Sequence, residues 1–288
     1  MRLFVMQTLS FKGFELEVFS IGGIESCYRI PNHKILFDIG RCPPGSDRFS
    51  KLFLSHSHID HAGGLPYYVA MRNLKKMSPP TIYCPKESRE NLWKMLKAWT
   101  KLDADADRCE LIGVEAGEEI VLSSDQYVRA FGSPHRVPVR GYTLFRRSKK
   151  LKPKYHGESS LNISKLVKEG TEVHESKAVP EFCFPGDSMI EVLNREPSIT
   201  QAKILLLECT FAGSSVSVER ARKAGHIHLD QIAENADRFE NEAMILTHWS
   251  QRYSNAQIAK EVEKALPKKI LERVHIVFPR QSDKPSNK

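Results

Sequence analysis

The sequence predicts a protein of the α/β fold class, and three observations support this prediction. Short apolar runs typical of buried strands recur along the chain, segments with the periodicity of amphipathic helices lie between them, and polar side chains directly follow each run. Strands of one sheet bring such polar groups to a common edge, where α/β proteins usually place their functional sites. With 288 residues, the chain can bury a substantial core, and we expect one domain.

The strand prediction depends on apolar runs that are each followed directly by polar residues. These runs are KILFDIG at 34–40, KLFLSHSH at 51–58, EFCFPGDS at 181–188, KILLLECTF at 203–211 and AMILTHWS at 243–250. The polar side chains that follow them are Asp38, the histidines within 56–61, Asp187, Glu208 and His248. We expect these groups to gather along one sheet edge.

Two segments show the three- and four-residue spacing of amphipathic helices. The first begins at Pro85 and places on one face Leu92, Trp93, Leu96 and Trp99. The second is capped by Ser254 or Asn255 and carries Ile258 and Val262 on one face. We expect the aromatic residues of the first helix to belong to the core and not to form a binding platform.

Composition excludes several classes of protein. Apolar residues make up 41% of the chain and charged residues 27%, and no apolar stretch is long enough for a membrane span. The opening MRLFVMQTLSFKG lacks the pattern of a secretory signal, so we expect an intracellular protein. The cysteines are scattered without a CxxC pair, which predicts reduced core thiols. The net charge of +8 favours an acidic partner, although solubility alone would also account for it.

Residues 52–65, LFLSHSHIDHAGGL, carry the strongest chemical signal. Divalent metals bind neutral imidazoles and carboxylates, and the HxHxDH pattern offers both on a turn that follows a strand. Alternate side chains of such a turn point in different directions, so that one strip can serve two ions. The simpler interpretation is a polar loop with Asp60 as a helix cap, but the density of histidines after a strand favours metal binding.

The order of these residues resembles the metallo-β-lactamase superfamily pattern of an aspartate, HxHxDH, a histidine, an aspartate and a final histidine. The matching positions are Asp38, residues 56–61, His135, Asp187 and His248. The resemblance implies one zinc site formed by His56, His58 and His135, and a second formed by Asp60, His61 and His248. It further implies that Asp187 bridges the two ions and that Asp38 orients the histidine turn from behind the ligands.

Other segments are similar to the tRNase Z family within this superfamily. LLLECTF and ARKAGHIHL look like the family's Glu-x-Thr-Phe and Gly-His motifs, which implies that His226 protonates the leaving oxygen and Glu208 orients it. His228 could compete for this role, but His226 is the histidine that directly follows glycine. LTHWSQRY resembles THFSxRY, and Arg252 becomes a candidate for holding a substrate phosphate or, more simply, a surface arginine.

Residues 146–176 interrupt the alternation of strands and helices. Six basic residues begin this segment, namely Arg146, Arg147, Lys149, Lys150, Lys152 and Lys154. Tyr155, Gly157 and a short helix-like stretch from Leu161 to Lys168 follow them. Such a charge run is usually a solvated surface. Its place between the third ligand and Asp187, where tRNase Z carries its tRNA-binding arm, favours an RNA-holding arm.

The resemblance extends over nearly the whole chain and is closest to the short, single-domain form found in plants. It implies an αβ/βα sandwich, with two mixed β-sheets face to face and helices outside, over residues 1–278. Residues 279–288 would form a loose tail. The chain departs from the family in its short arm, which lacks a repeated Gly-Pro pattern, and in SPHRVPVRGY around the third ligand.

The implied activity is that of a zinc-dependent endoribonuclease that removes the 3′ trailer of precursor tRNA. The cut would follow the discriminator base and leave a 3′ hydroxyl on the tRNA, with Asp60 assisting as a base. The implied cofactor is two Zn²⁺ ions per subunit, with Mn²⁺ or another divalent metal as the alternative. We expect two partners, precursor tRNA and the second subunit of a homodimer, and we expect binding to neither membranes nor DNA. We expect a cytoplasmic location.

Two other functions stay open at this point. A small-molecule metallo-hydrolase of the same fold, such as a phosphodiesterase or thioesterase, would share the zinc site without needing a basic arm. A non-catalytic RNA-binding relative would be expected to have lost metal ligands, and no ligand is missing from this chain.

Overall fold

A computed structural model describes residues 6–11, 13–103 and 107–279. In this part of the chain, two seven-stranded β-sheets pack face to face and helices cover their outer faces. Both sheets are mixed, because each contains antiparallel and parallel strand pairs. The predicted α/β sandwich is confirmed.

The first sheet is formed by the N-terminal strands in sequence order. Its strands are β1 (Gln7–Phe11), β2 (Phe14–Ile21), β3 (Glu25–Ile30), β4 (Ile35–Phe37), β5 (Lys51–Phe53), β6 (Thr81–Pro85) and β7 (Glu110–Val114). Strands β1 to β4 pair antiparallel, and β4 to β7 pair parallel. The parallel pairs bring the end of β5, and with it the HxHxDH motif, to one edge of the sheet.

The second sheet runs in sequence order as well. Its strands are β8 (Glu119–Val121), β9 (Gln126–Ser133), β10 (Val139–Leu151), β11 (His174–Phe184), β12 (Ile204–Glu208), β13 (Ala243–Thr247) and β14 (Val274–Ile276). Strands β11 to β14 are parallel, so that the residues after β11, β12 and β13 come together. All five predicted strands are present; each ends before its predicted run does, and β11 begins earlier, at His174. Asp38, Asp187 and His248 lie beyond strand ends.

The nine helices of the described residues lie outside the sheets or in the connections between strands. They are α1 (Ile59–Ala62), α2 (Leu65–Leu74), α3 (Lys86–Trp99), α4 (Ser160–Lys168), α5 (Ser198–Gln201), α6 (Val218–Ala224), α7 (Leu229–Glu234), α8 (Asn255–Ala265) and α9 (Lys268–Leu271). Ser254 caps α8 in a capping box with Gln257, as predicted for this helix start. No helix among these is long and apolar enough to cross a membrane.

Aromatic rings fill the layer between the sheets. Phe37 of the first sheet stacks on Phe182 of the second, with ring centroids 5.5 Å apart, and both side chains are fully buried. Each sheet also packs against its helices through a further apolar layer, so that there are two such layers in all. Because burial of each such ring stabilises the fold by about 1.5–3 kcal/mol, the central layer fixes the relative position of the sheet edges.

The prediction that both tryptophans of α3 belong to the core is wrong for Trp99, which is 47% exposed. The buried face of α3 consists of Ser88, Leu92 and Leu96, which follow one another at four-residue spacing. Trp99 lies in the last turn, past the end of this row. Trp93 is only partly buried at the edge of the core, where Lys97 lies over its ring.

The predicted reduced cysteines are confirmed, since all six are free thiols and five of them are buried. The predicted loose tail lies outside the described residues from residue 280 onward.

Candidate active site

The first ligand group lies where β5, β9 and β11 end. His56 Nε2 lies 2.9 Å from His58 Nδ1, which lies 3.5 Å from His135 Nε2. Asp187 Oδ2 lies 3.8 Å from His56 Nε2. These are the side chains predicted for one zinc site, and their nitrogens face a common point.

The second group adjoins the first. His61 Nε2 lies 3.3 Å from His248 Nε2, and Asp60 Oδ2 lies 3.4 Å from the same His248 atom. Asp187 touches this group as well, because its Oδ2 is 3.4 Å from His61 Nε2 and its Oδ1 is 3.5 Å from His248 Nε2. Asp187 is therefore shared by both groups.

The residues present fit divalent metals. Ligand atoms that surround one zinc ion at about 2 Å lie about 3–4 Å from one another, and the distances within each group have this size. All ligand atoms within each group lie within 4.8 Å of one another. The imidazoles and carboxylates form the mixed donor set that divalent transition metals prefer.

The protonation states of the first group and of Asp60 agree with metal binding. Burial lowers the pKa of His56, His58 and His135, so these imidazoles are neutral at pH 7 and keep a lone pair for a metal. Burial acts in the opposite direction on Asp60, but hydrogen bonding to His248 and the neighbouring His61 lower its pKa to about 2. The carboxylate therefore carries a negative charge that a cation can neutralise.

Asp38 lies behind the proposed ligands and holds two of them, His61 directly and His56 through Ser55. Its carboxylate accepts hydrogen bonds from the backbone N–H and the hydroxyl of Ser55, both at 2.7 Å, and lies 2.7 Å from His61 Nδ1. The same hydroxyl lies 3.0 Å from His56 Nδ1. Both rings thereby present Nε2 to the site. The backbone of Asp38 is left-handed, with φ 54°, which directs its side chain under the histidine turn.

His135 is oriented by the backbone of the loop that carries His226. Its Nδ1 donates to the Gly225 carbonyl oxygen at 2.7 Å. Gly225 ends α6 in the left-handed conformation, with φ 83°, and a Cβ placed on it would lie 2.8 Å from His135 Nδ1. Only glycine satisfies both conditions.

His226 and Glu208 form the predicted pair. His226 Nδ1 lies 2.9 Å from Glu208 Oε1 and 3.9 Å from Asp187 Oδ2. Burial opposes protonation, but the adjacent Glu208 and Asp187 carboxylates raise the pKa of His226 to about 9. At neutral pH the ring therefore carries a proton that it can give away.

The structure separates His226 from its competitor. His228 is 1% exposed, and its Nδ1 accepts the backbone N–H of Asp230 while its Nε2 donates to the Gly213 carbonyl oxygen. This side chain caps α7 and takes no part in the ligand groups.

Sequence reasoning did not identify Ser55 and Thr210 as parts of the site. Thr210 Oγ1 donates to Glu208 Oε2 at 2.8 Å and accepts from His248 Nδ1 at 2.9 Å. Their positions could have signalled a role, since Ser55 directly precedes the first histidine of the motif and Thr210 belongs to the Glu-x-Thr-Phe stretch.

Arg252 lies at the border of the site. Its guanidinium carbon is 5.4 Å from the ring centroid of Phe211, which in turn is 6.1 Å from the ring of His226. The side chain is exposed, and its Nε donates to Ser250 Oγ at 3.1 Å. Arg252 is therefore one aromatic ring away from the predicted proton donor.

The basic segment is not brought to the site within one chain. Its residues form the outer part of the β10–β11 hairpin, with α4 at the tip, and β9 ends its pairing opposite Arg146. The site lies at the other end of the hairpin, after Phe184, which pairs with Tyr142. At about 3.4 Å per residue, Lys150 lies on the order of 27 Å along β10 from Tyr142.

Several arm cations already have acidic or aromatic neighbours. Arg146 contacts Glu181 and Asp125, and Lys152 contacts Glu172. Arg147 and Lys154 lie over tyrosine rings, and Arg147 also contacts Glu119. Lys150 is exposed, and the side chain of Lys149 lies outside the described part of the structure.

Comparison with known proteins identifies the family. Residues 40–249 match the family described as Beta-lactamase superfamily domain. The chain is 40% identical to tRNase Z TRZ1 of Arabidopsis thaliana over 270 residues, which covers 93% of this chain and 96% of that protein. It is 38% identical to the chloroplastic tRNase Z TRZ2 of the same plant over 260 residues, covering 88% of this chain and 73% of that protein.

Solved structures agree on the fold. The metallo-β-lactamase fold protein YhfI of Bacillus subtilis superposes with a TM-score of 0.60 at 14% identity, covering 92% of this chain and 96% of that one. The short form of human tRNase Z superposes with a TM-score of 0.53 at 19% identity, covering 94% and 92%. With ligand groups, fold and sequence in agreement, this chain belongs to the tRNase Z family of the β-lactamase superfamily.

Proposed function

We propose that this protein is a metal-dependent endoribonuclease that removes the 3′ trailer of precursor tRNA by cutting after the discriminator base. The observation that carries the proposal is the His226–Glu208 pair beside two ligand groups that share Asp187. Cleavage of a phosphodiester requires neutralisation of the phosphate and protonation of a poor leaving oxygen. The two parts of the site meet these requirements, and the relatives named tRNase Z support tRNA as the substrate.

Two zinc ions would be held, with Asp187 between them. The first would be bound by His56, His58 and His135, and the second by Asp60, His61 and His248. When bound, such ions supply activation of a water nucleophile and stabilisation of charge on the phosphoryl oxygens. Asp60 is held in place by the Gly23 N–H at 2.8 Å and is the candidate for accepting the proton of the attacking water.

His226 would give a proton to the 3′ oxygen that leaves. Its Nδ1 is engaged by Glu208, so that Nε2 is the nitrogen available to the substrate. Glu208 is itself held by the backbone N–H groups of Ser188, Thr210 and Ile227. The tRNA would thereby leave with a 3′ hydroxyl, and the trailer would retain the phosphate.

Substrate binding would combine Arg252 at the site with the arm of a second subunit. The arm residues proposed for tRNA binding are Arg146, Arg147, Lys149, Lys150, Lys152 and Lys154. Since the arm is at the far end of β10 from its own site, we propose a homodimer in which the arm of one subunit holds the tRNA for the other. We propose a cytoplasmic location for this dimer. Contacts to phosphates would make binding sensitive to salt.

The test is cleavage of a 5′-labelled precursor tRNA that carries a 3′ trailer, with and without a chelator. We expect a single chelator-sensitive cut after the discriminator base, mapped at nucleotide resolution. If a generic phosphodiester is hydrolysed while the precursor remains uncut, the chain is instead a small-molecule hydrolase of this fold. The pairing of arm cations with acidic neighbours is the observation that favours this alternative.

A further inference from the structure

Arg136 is an exposed arginine at the site to which the sequence analysis gave no role. It directly follows the ligand His135, and a Cβ placed on Gly225 would lie 3.0 Å from its Cγ. Gly225 in turn precedes His226 and holds the His135 ring through its carbonyl oxygen. The aliphatic part of Arg136 therefore packs beside both a metal ligand and the proposed proton donor.

The charge of Arg136 is not neutralised by the part of its own chain that the structure describes. Across residues 6–11, 13–103 and 107–279, its guanidinium makes no hydrogen bond or ion pair. Two carboxylates that contact α6 and the loop after it are engaged elsewhere, since Glu208 accepts from His226 and Glu191 pairs with Arg222. A guanidinium has five N–H donors in a planar arrangement that matches the oxygens of a phosphate.

In the proposed function, bound metal ions would neutralise the scissile phosphate, and His226 would protonate its leaving oxygen. An RNA strand carries one further phosphate on each side of the scissile one, and both must pass along the border of the site. Arg252 occupies that border beside Phe211, whereas Arg136 occupies it beside Gly225. We infer that Arg136 binds, by a bidentate contact, one of the two phosphates that flank the scissile phosphate. This inference rests on the proposed function.

The test combines variants of Arg136 with precursor tRNA in which one flanking linkage is a neutral methylphosphonate. Arg136→Ala should lower kcat/KM on the natural substrate about 10- to 100-fold, mainly through KM, because a charge-assisted contact is lost. Arg136→Lys should recover part of this loss, since it keeps the charge but not the bidentate geometry. Lys269→Ala removes one exposed charge from α9, which precedes β14 at the other end of the sheet, and should change nothing.

Coupling between the two changes decides the outcome. The wild-type protein should lose a similar factor when one of the flanking linkages is neutral, and Arg136→Ala should lose nothing more on that substrate. The inference would be overturned if the loss from Arg136→Ala and the loss from the neutral linkage multiplied at both flanking positions. An unchanged kcat/KM in Arg136→Ala would also overturn it. So would a fall in zinc content with a fall in kcat, which would assign Arg136 to holding His135.

Failure of the inference differs visibly from failure of the proposed function. If wild-type protein cuts the precursor normally and only the Arg136 effects are missing, the inference alone is wrong. If wild-type protein leaves the precursor uncut but hydrolyses bis(p-nitrophenyl) phosphate, the proposed function is wrong and the inference fails with it.

Discussion

Glu208 connects the two parts of the site because its two oxygens serve different partners. Oε1 lies 2.9 Å from the Nδ1 of His226, and Oε2 accepts a hydrogen bond from the Thr210 hydroxyl, which also contacts the proposed ligand His248. The proposed proton donor and a proposed metal ligand are therefore oriented by one buried carboxylate. Loss of the hydroxyl of Thr210 should affect metal binding while leaving the contact between His226 and Glu208 in place.

Thr210→Val should lower zinc affinity about 10- to 100-fold, because His248 loses the partner that fixes its ring. Valine has nearly the same shape as threonine, so packing is preserved. Thr210→Ser retains the hydroxyl and serves as the matched control, with near wild-type affinity. Zinc release to a competing chelator measures the effect. Equal affinities in the valine and serine variants would contradict the role of the hydroxyl.

His226→Ala should lower the rate of precursor cleavage about 10²- to 10⁴-fold, the range expected for loss of a general acid. Zinc content and tRNA affinity should be retained, since His226 is not among the predicted ligands. His228→Ala is the control, because it removes a helix cap and should lower stability by about 1 kcal/mol while folded molecules keep their activity. Unchanged single-turnover cleavage by His226→Ala would disprove the assignment.

At the level of elements, the end of α6 requires glycine at position 225 for two reasons, its left-handed backbone and its close approach to His135. Gly225→Ala must place a side chain at φ 83° and 2.8 Å from His135 Nδ1. We expect a loss of about 2–4 kcal/mol in unfolding free energy from the backbone strain and the clash together, and weaker zinc binding. Denaturant unfolding and chelator titration measure these two effects.

Gly170 provides the control for this change. It also follows a helix with a positive φ, 81°, but a Cβ placed on it meets no atom within 4 Å. Gly170→Ala should therefore show only the backbone cost of about 1–2 kcal/mol, with zinc binding unchanged. If both alanine variants bind zinc equally well, the contact between Gly225 and His135 does not position the ligand.

The elements also show which features a sequence can predict. Apolar runs indicate strands through local composition, and the HxHxDH motif places four candidate ligands within six residues, so the strands and the cluster of candidate ligands could be predicted. The partners of Ser55 and Thr210 depend on side-chain directions set by the whole fold. The exposure of Trp99 depends on where the buried row of α3 ends, and periodicity alone does not define that end.

For the whole molecule, the separation between arm and site has a consequence for assembly. The arm begins where β9 stops pairing with β10 at Arg146, and it points away from the edge at which the ligands converge. A tRNA bound to the arm of one subunit would therefore be presented to the site of a second subunit and not to the site of its own chain. Cleavage of tRNA should require two subunits.

Mixing two inactive variants tests this consequence. In the first, an Asn-Gly turn replaces residues 149–176, joining the cross-strand neighbours Ser148 and Lys177. This protein retains its site but should cut precursor tRNA poorly. The second is His226→Ala, which retains the arm. In a mixed dimer, the intact arm of the second faces the intact site of the first.

We expect the mixture to recover up to about a quarter of wild-type activity, because about half of the dimers are mixed and each has one complete arm and site. The activities of the shortened protein alone and of His226→Ala alone, each at the same total protein concentration as the mixture, provide the two baselines. A mixture no more active than the sum of these baselines would mean that each arm serves its own chain or none. Recovery that rises with protein concentration would tie cleavage to the assembly of two subunits.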